Sequence, residues 1–143
     1  LKSFFDTPYR EQYHFHAYKN WLNDPNGLCW FHGYYHMFYQ MNPAFQGWDN
    51  MHWGHAASKD LVHWTYLPVV LAPQPELDDY PEFLGGAFSG SALVEEDQVS
   101  LFFTRHFSPT HERTKIEYQS RVTSKYLLHF SPEEIVLRTK PSC

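Results

Sequence analysis

Cysteine is scarce in this chain, which has only Cys29 and Cys143 among its 143 residues. Two cysteines so far apart form neither a disulfide framework nor the paired spacing of a metal motif. The sequence also lacks an Asn-x-Ser/Thr sequon and a signal-peptide pattern, and it begins with Leu1 rather than Met. We therefore expect a segment to have preceded Leu1, and the compartment, secreted or cytoplasmic, stays open.

Positive charge and long apolar runs are also lacking. Eleven Lys and Arg against 16 Asp and Glu give a net charge of −5, which makes nucleic acid an unexpected partner. No apolar run approaches the length of a membrane-spanning helix, so no membrane association is expected. The ten histidines include His14-x-His16 and His52-x-x-His55, but neither pair has a third ligand at a fixed spacing. We therefore predict no metal site and no cofactor.

Aromatic residues, in contrast, are abundant: Trp, Tyr and Phe make up 19% of a chain long enough for one domain. Their flat apolar faces suit protein cores and also suit the stacking of sugar rings. Most of them are expected in the core.

Short apolar runs separated by turn residues predict strands nearly throughout. The first set covers residues 28–31, 34–41, 52–58 and 62–66, with a hairpin at His32-Gly33. A Pro-rich connection from Pro68 to Gly86 leads to the second set, residues 87–94, 99–105, 115–123 and, weakly, 127–130. Residues 132–138 fit either a short helix beginning at Ser131 or a strand.

Two successive groups of four antiparallel strands are typical of β-propeller blades. We predict an all-β fold with blade one at about residues 20–67 and blade two at about 87–130. Both alternating faces of residues 34–41 are apolar or aromatic, as expected for a sheet covered on each side. Two blades alone leave sheet surface uncovered, so we expect further C-terminal blades or a partner against the open edge.

The segment Trp21-Leu22-Asn23-Asp24-Pro25-Asn26-Gly27 is the most informative motif. Pro25 fixes φ, and Asn26-Gly27 tolerates positive φ, so the segment predicts a tight turn that holds the Asp24 carboxylate at a strand end. Each residue from Asp24 to Gly27 is a turn former, and a purely structural turn is the alternative.

This motif resembles the first signature of glycoside hydrolase family 32, the invertase, levanase and inulinase family. Further matching segments follow in the family's order: Phe38-Tyr39-Gln40-Met41-Asn42-Pro43, Trp48, Met51-His52-Trp53-Gly54-His55, Ser58-Lys59-Asp60-Leu61-Val62-His63-Trp64 and Phe88-Ser89-Gly90-Ser91. The resemblance runs from about Tyr9 to Phe103. It implies the N-terminal part of a five-bladed propeller that hydrolyses β-fructofuranosides such as sucrose, inulin or levan with retention.

The resemblance also implies roles for individual residues. Asp24 would be the nucleophile, one of two carboxylates about 5 Å apart around an oxocarbenium-like transition state. The substrate-binding residues would be Trp21, Asn23, Gln40, Trp48, Phe88 and Ser89. The amides would bind fructose hydroxyls, the two Trp side chains would wall the ring, and Phe88-Ser89 would line the pocket from the second blade.

Structural alternatives exist for three of these residues, and Trp53 and Trp64 are assigned to the core. Gln40 could be a solvated residue at a strand end, Trp48 a core aromatic, and Ser89 part of a strand bend.

The sequence departs from the family in two places. It has no Arg-Asp dipeptide for the Arg-Asp-Pro motif and no Glu-Cys dipeptide for the motif that carries the general acid/base. We therefore expect the isolated chain to be inactive, and the apolar stretch after Ser124 indicates an altered, spliced or truncated sequence. The carboxylates that could replace the missing acid, all better explained as solvated surface charges, are Asp78, Asp79, Glu82 and Glu117.

Two other function classes stay open. The chain could be a non-catalytic sugar-binding module or a remnant of a propeller, which binding without hydrolysis would reveal. It could also belong to a related five-bladed glycosidase family acting on arabinose- or xylose-containing glycans, although Gln40 and Phe88-Ser89 argue against this.

Overall fold

The computed structural model describes residues 8–9, 11, 13–44, 46–80, 82–109 and 116–138. These residues form eight strands and one short helix. The strands make two four-stranded antiparallel sheets, and each sheet keeps the order of the chain. The predicted all-β fold with two groups of four strands is confirmed.

The first sheet consists of β1 (Trp21–Phe31), β2 (Tyr34–Asn42), β3 (His52–Ser58) and β4 (Trp64–Leu71). The second consists of β5 (Phe83–Val94), β6 (Val99–Pro109), β7 (Ile116–Ser124) and β8 (Glu134–Leu137). The helix α1 (Glu76–Asp79), which the sequence did not predict, lies in the connection between β4 and β5. It starts after Pro75, whose fixed φ suits the beginning of a helix, and it buries Leu77.

The β1–β2 hairpin and β3 agree with their predictions. His32 and Gly33 have φ values of 49° and 81°, and positive φ at both central residues is the hallmark of the type I′ turn. β3 covers residues 52–58, as predicted. The predicted first residue of the third strand of the second sheet, Lys115, lies outside the described residues, and so does Cys143.

The prediction of a tight turn at Asp24 is wrong, because the whole segment belongs to β1. Pro25 and Asn26 pair with Tyr39 and Phe38 of β2, and two β-bulges absorb the irregular backbone. Proline is tolerated at such positions because the bulge interrupts the ladder of hydrogen bonds. Gly27, with φ of 55°, lies in the second bulge.

The fourth strand of the first sheet starts later than predicted. The Asp60 carboxylate accepts hydrogen bonds from the backbone N–H groups of Val62 and His63, at 2.9 and 2.8 Å, and this holds residues 60–63 in a turn. β4 then continues through Pro68, because Pro68 lies in an irregular stretch of an edge strand.

The predicted strand at residues 127–130 is also wrong, because these apolar residues belong to a loop. Leu127 has φ of 56° and is 1% exposed, and its N–H donates to Ser124 Oγ at 2.8 Å. Its side chain fills the core from outside the sheet. The fourth strand is β8, which settles the choice for residues 132–138 in favour of strand. The sheets therefore span residues 21–71 and 83–137, compared with predicted blades of about 20–67 and 87–130.

The main core lies between the two sheets. It contains buried residues of both sheets and of the loop that follows β7: Phe31, Phe38, Trp53, Leu71, Ala87, Val99, Leu101, Phe103, Val122 and Leu127. Trp53 is 0% exposed, as expected for a core residue. A second cluster covers the other face of the first sheet, where Phe15 and Trp64 pack against Tyr39, Met41 and Ala56. Successive side chains of β2 thus pack alternately on the two covered faces of the first sheet, as predicted.

Among the described residues, no helix has the length and apolar character needed to cross a membrane.

Candidate active site

Two pairs of predicted site residues, Asn23-Asp24 and Phe88-Ser89, each lie in a β-bulge in the first strand of a sheet. The β1–β2 register breaks on either side of Asn23-Asp24, so both residues oppose one residue of β2. The β5–β6 register breaks in the same way around Phe88-Ser89. A bulge bends its strand and re-aims the side chains it carries. The two bulges turn their side chains toward the junction of the sheets.

Asp24 and Ser89 meet at this junction. The Ser89 hydroxyl donates a hydrogen bond to Asp24 Oδ2 at 2.5 Å, across 65 positions of sequence. Both residues are exposed, so the carboxylate is open to a ligand. This hydrogen bond orients the Asp24 carboxylate at the junction of the two sheets.

Asn23 and Gln40 form one fixed unit beside Asp24. Asn23 Nδ2 donates to Gln40 Oε1 at 2.5 Å, and Gln40 Nε2 donates to the Ala87 carbonyl at 3.3 Å. Gln40 is only 4% exposed, so it is not a solvated strand-end residue. Trp21 Nε1 donates to Asn23 Oδ1 at 3.0 Å. The described contacts already occupy both ends of each amide, and a ligand would have to share or exchange these bonds.

Trp48 and Phe88 form the aromatic side of the site. Their ring centroids are 6.1 Å apart with the planes at 77°, an edge-to-face contact. Trp48 is 44% exposed and is therefore not a core aromatic. Phe88 also stacks on His106, with ring centroids 4.3 Å apart and the planes at 10°.

Residues of the first sheet and of the segment just before β3 make hydrogen bonds to the backbone of β5 on both sides of its bulge. These hydrogen bonds are Gly85 N to Asn50 Oδ1 at 3.0 Å, Met51 N to Gly85 O at 2.8 Å, Ala87 N to Met51 O at 2.9 Å, Trp53 Nε1 to Phe88 O at 3.0 Å and Gly90 N to Asn26 Oδ1 at 3.0 Å. The position of Phe88-Ser89 is therefore set by the first sheet as much as by the second.

Sequence reasoning missed two residues that contact the site. Asn26 was given only a turn role, although its place in the motif was a usable signal. His106 carried no signal, because its contact with Phe88 arises from the packing of β5 on β6. His106 Nδ1 lies 3.0 Å from Glu117 Oε1, so this predicted spare carboxylate is paired. Asp78 and Asp79 lie on α1.

No cluster of three or more His, Cys, Asp or Glu side chains suited to a metal ion occurs within the described part of the chain. Cys29 is a free thiol, and burial raises its pKa to about 11. A thiol with so high a pKa is protonated at neutral pH and is a poor nucleophile. Cys29 is therefore not a candidate nucleophile.

A family model and solved structures match this chain over most of its length. The model described as "Glycosyl hydrolases family 32 N-terminal domain" matches residues 14–142, beyond the Phe103 end of the resemblance seen in the motifs. A solved glycoside hydrolase family 32 structure from Bifidobacterium adolescentis superposes with a TM-score of 0.90 and 43% identity, covering 96% of this chain and 24% of that one. The two sheets are therefore N-terminal blades of a β-propeller.

Two relatives show the same relationship in sequence. The levanase of Bacillus subtilis (strain 168) is 49% identical over 107 residues, which cover 75% of this chain and 15% of the levanase. The sucrose-6-phosphate hydrolase of Escherichia coli is 40% identical over 129 residues, which cover 87% of this chain and 26% of that enzyme. The chain belongs to glycoside hydrolase family 32, and it spans about a quarter or less of the length of these relatives.

Proposed function

We propose that this chain supplies the nucleophile and one side of the sugar pocket for the retaining hydrolysis of β-fructofuranosidic bonds in sucrose or fructans. The observation that supports this most is the Asp24 carboxylate, exposed at the blade junction and hydrogen-bonded by Ser89. The names of the relatives, a levanase and a sucrose-6-phosphate hydrolase, point to fructose-containing substrates.

In the proposed reaction, Asp24 attacks the anomeric carbon of the fructosyl unit and displaces the aglycone oxygen. A second carboxylic acid protonates that oxygen, and the same group then activates water to release fructose from Asp24. Two inversions at one carbon give net retention. Asn23 and Gln40 would bind ring hydroxyls, with Trp21, Trp48 and Phe88 as apolar walls and Ser89 orienting the carboxylate.

The sequence has neither the Glu-Cys nor the Arg-Asp-Pro signature. We propose that the 143-residue chain alone does not turn over substrate and that further blades or a partner supply the second acid. General acid catalysis is typically worth about 10²–10⁴-fold, and loss of substrate positioning adds to that deficit.

The test measures fructose release from sucrose, inulin and levan by the 143-residue chain and by the whole protein in which it occurs. Asp24→Asn should lower kcat of the whole protein by about 10⁴-fold or more, because the neutral amide cannot attack. Asp97→Asn, in the exposed turn between β5 and β6, should leave kcat unchanged. Retention is checked with methanol as acceptor, which should give the β-methyl fructoside.

Activity that survives in Asp24→Asn would exclude this nucleophile. Fructose binding without hydrolysis by the whole protein would favour the non-catalytic sugar-binding module instead.

A further inference from the structure

We propose that Asn26 is a positioning residue that locks the two β-bulges together and thereby fixes the Asp24 carboxylate. The inference rests on the proposed function, because it concerns the group assigned there as nucleophile. Asn26 is buried, with 4% of its surface exposed, while Asp24 two residues earlier is exposed. Asn26 would therefore act on the reaction without touching the substrate.

The Asn26 amide joins one bulge to the other. Its Nδ2 donates to the Asp24 carbonyl at 3.1 Å, inside the β1 bulge. Its Oδ1 accepts from the backbone N–H of Gly90 at 3.0 Å, at the residue that closes the β5 bulge. One side chain thus ties the backbone that carries Asp24 to the backbone that carries Ser89.

This tie has a consequence for the carboxylate. The Asp24–Ser89 hydrogen bond spans two sheets, and its length depends on how the two bulges are placed relative to each other. A nucleophile must be held close to its attack geometry, and a displacement of about 1 Å can cost about 10²-fold in rate. If Asn26 is replaced, the bulges can shift and the carboxylate can turn away from Ser89.

The chemistry requires an amide at this position. A carboxylate offers an acceptor to Gly90 but no donor to the Asp24 carbonyl, and it places a like charge near Asp24. Serine is too short to reach both partners. Asn26→Asp and Asn26→Ser therefore remove the tie in two different ways.

Asn42 provides a matched control. It is 2% exposed and makes the same pair of bonds, donating to the Gly47 carbonyl at 3.0 Å and accepting from Ala44 N–H at 2.9 Å. Its bonds stay within the loop after β2 and do not reach either bulge. Asn42→Ser removes an equally buried amide without touching the tie.

The first measurement is the kinetics of fructose release by the whole protein. Both Asn26 variants should lower kcat by about 10- to 100-fold with little change in KM, because the carboxylate is displaced while the pocket walls remain. Asn42→Ser should keep the wild-type kcat. A folded Asn26→Asp protein with wild-type kcat would overturn the inference.

The second measurement needs no activity and uses the melting temperatures of a double-mutant cycle. Because Asn26 holds Ser89 against Asp24, the losses in Asn26→Ser and Ser89→Ala should be smaller in combination than their sum. The losses in melting temperature caused by Asn42→Ser and Ser89→Ala should add, because these two side chains share no contact. Additive losses for Asn26 and Ser89 would overturn the inference. If the wild type releases no fructose from any substrate, the proposed function fails, and this cycle alone decides the role of Asn26.

Discussion

His36 and His55 lie buried in the first sheet, where His36 Nδ1 and His55 Nε2 are 2.9 Å apart. His55 is 1% exposed and stacks on Phe38 at a centroid distance of 4.4 Å. Burial lowers the pKa of both imidazoles, and for His55, where the neighbouring His36 also contributes, the pKa falls to about 3. The close contact of His55 is therefore formed across β2 and β3, with His36 as its partner.

Acid should destabilise this protein through His55. In the unfolded chain this histidine has a pKa of about 6.5, whereas in the folded chain its pKa is about 3. The unfolded state therefore binds the proton first, and the folded state loses stability as the pH falls from about 6.5 to about 3. Between about pH 7 and about pH 5 the free energy of unfolding should fall by about 2 kcal/mol from this group. Urea unfolding at several pH values measures the slope.

His55→Gln should reduce this pH dependence, since the more deeply buried of the two imidazoles is then absent and only His36 remains. His129, which is exposed, is the control: His129→Gln should retain the wild-type slope. An unchanged slope in His55→Gln would show that other groups dominate the acid response.

The first strand of the second sheet is shaped by its neighbour. Gly86 in β5 has φ of 106° and forms a parallel bridge with Met51, which precedes β3. A Cβ atom placed on Gly86 would lie 2.4 Å from the Met51 carbonyl oxygen. The strand therefore approaches the first sheet at a distance that only glycine permits, just before Phe88-Ser89.

Gly86→Ala should lower the free energy of unfolding by about 3 kcal/mol or more, because positive φ strain adds to a clash with backbone atoms. Gly33→Ala is the matched control: Gly33 has φ of 81°, but a Cβ there meets no atom within 4 Å. Its cost should be limited to about 1–2 kcal/mol of backbone strain. Equal losses in the two variants, measured by urea unfolding, would contradict the close approach.

Arg105 of β6 ties the second sheet to the connection that follows the first sheet, and it also ties β6 to the loop ahead of β8. Its side chain is 7% exposed and donates to the Ala72 carbonyl at 2.6 Å, in the connection after β4. It also donates to both Glu133 oxygens, ahead of β8, with a shortest distance of 2.6 Å. Burial opposes ionisation of Glu133, but the bonds from Arg105 prevail and lower its pKa. One cation therefore joins β6, the loop ahead of β8 and the connection between the two sheets.

Arg105→Gln should destabilise the protein by about 3–5 kcal/mol, since it leaves the Glu133 charge partly buried without its partner. The Arg121–Glu134 pair is the control: its atoms are 2.8 Å apart, but its side chains are 38% and 60% exposed. Arg121→Gln should cost no more than about 1 kcal/mol. Comparable losses in thermal or urea unfolding would show that Arg105 is not a tie of this kind.

Patterns of residues close together in sequence predicted much of the fold. The alternation in β2 and the composition of β3 gave these strands directly, and His32-Gly33 gave the hairpin. Asp24-Pro25-Asn26-Gly27 misled because its turn propensity is overridden by pairing with β2. The strand predicted at residues 127–130 was wrong because these apolar residues form a loop whose Leu127 packs into the core. Such a loop has the same composition as a short strand.

From the sequence alone, the resemblance of its ordered motifs to family 32 pointed to a propeller segment and to Asp24 as the carboxylate to examine, because such motifs are short stretches that can be matched without knowing any tertiary contact. Only the tertiary structure decided that Ser89 donates to Asp24, that Gln40 is buried against Asn23 and that Asn26 spans the two bulges. Those contacts join residues on different strands and different sheets. They depend on bulge positions and on the packing of one sheet against the other, which no local pattern encodes.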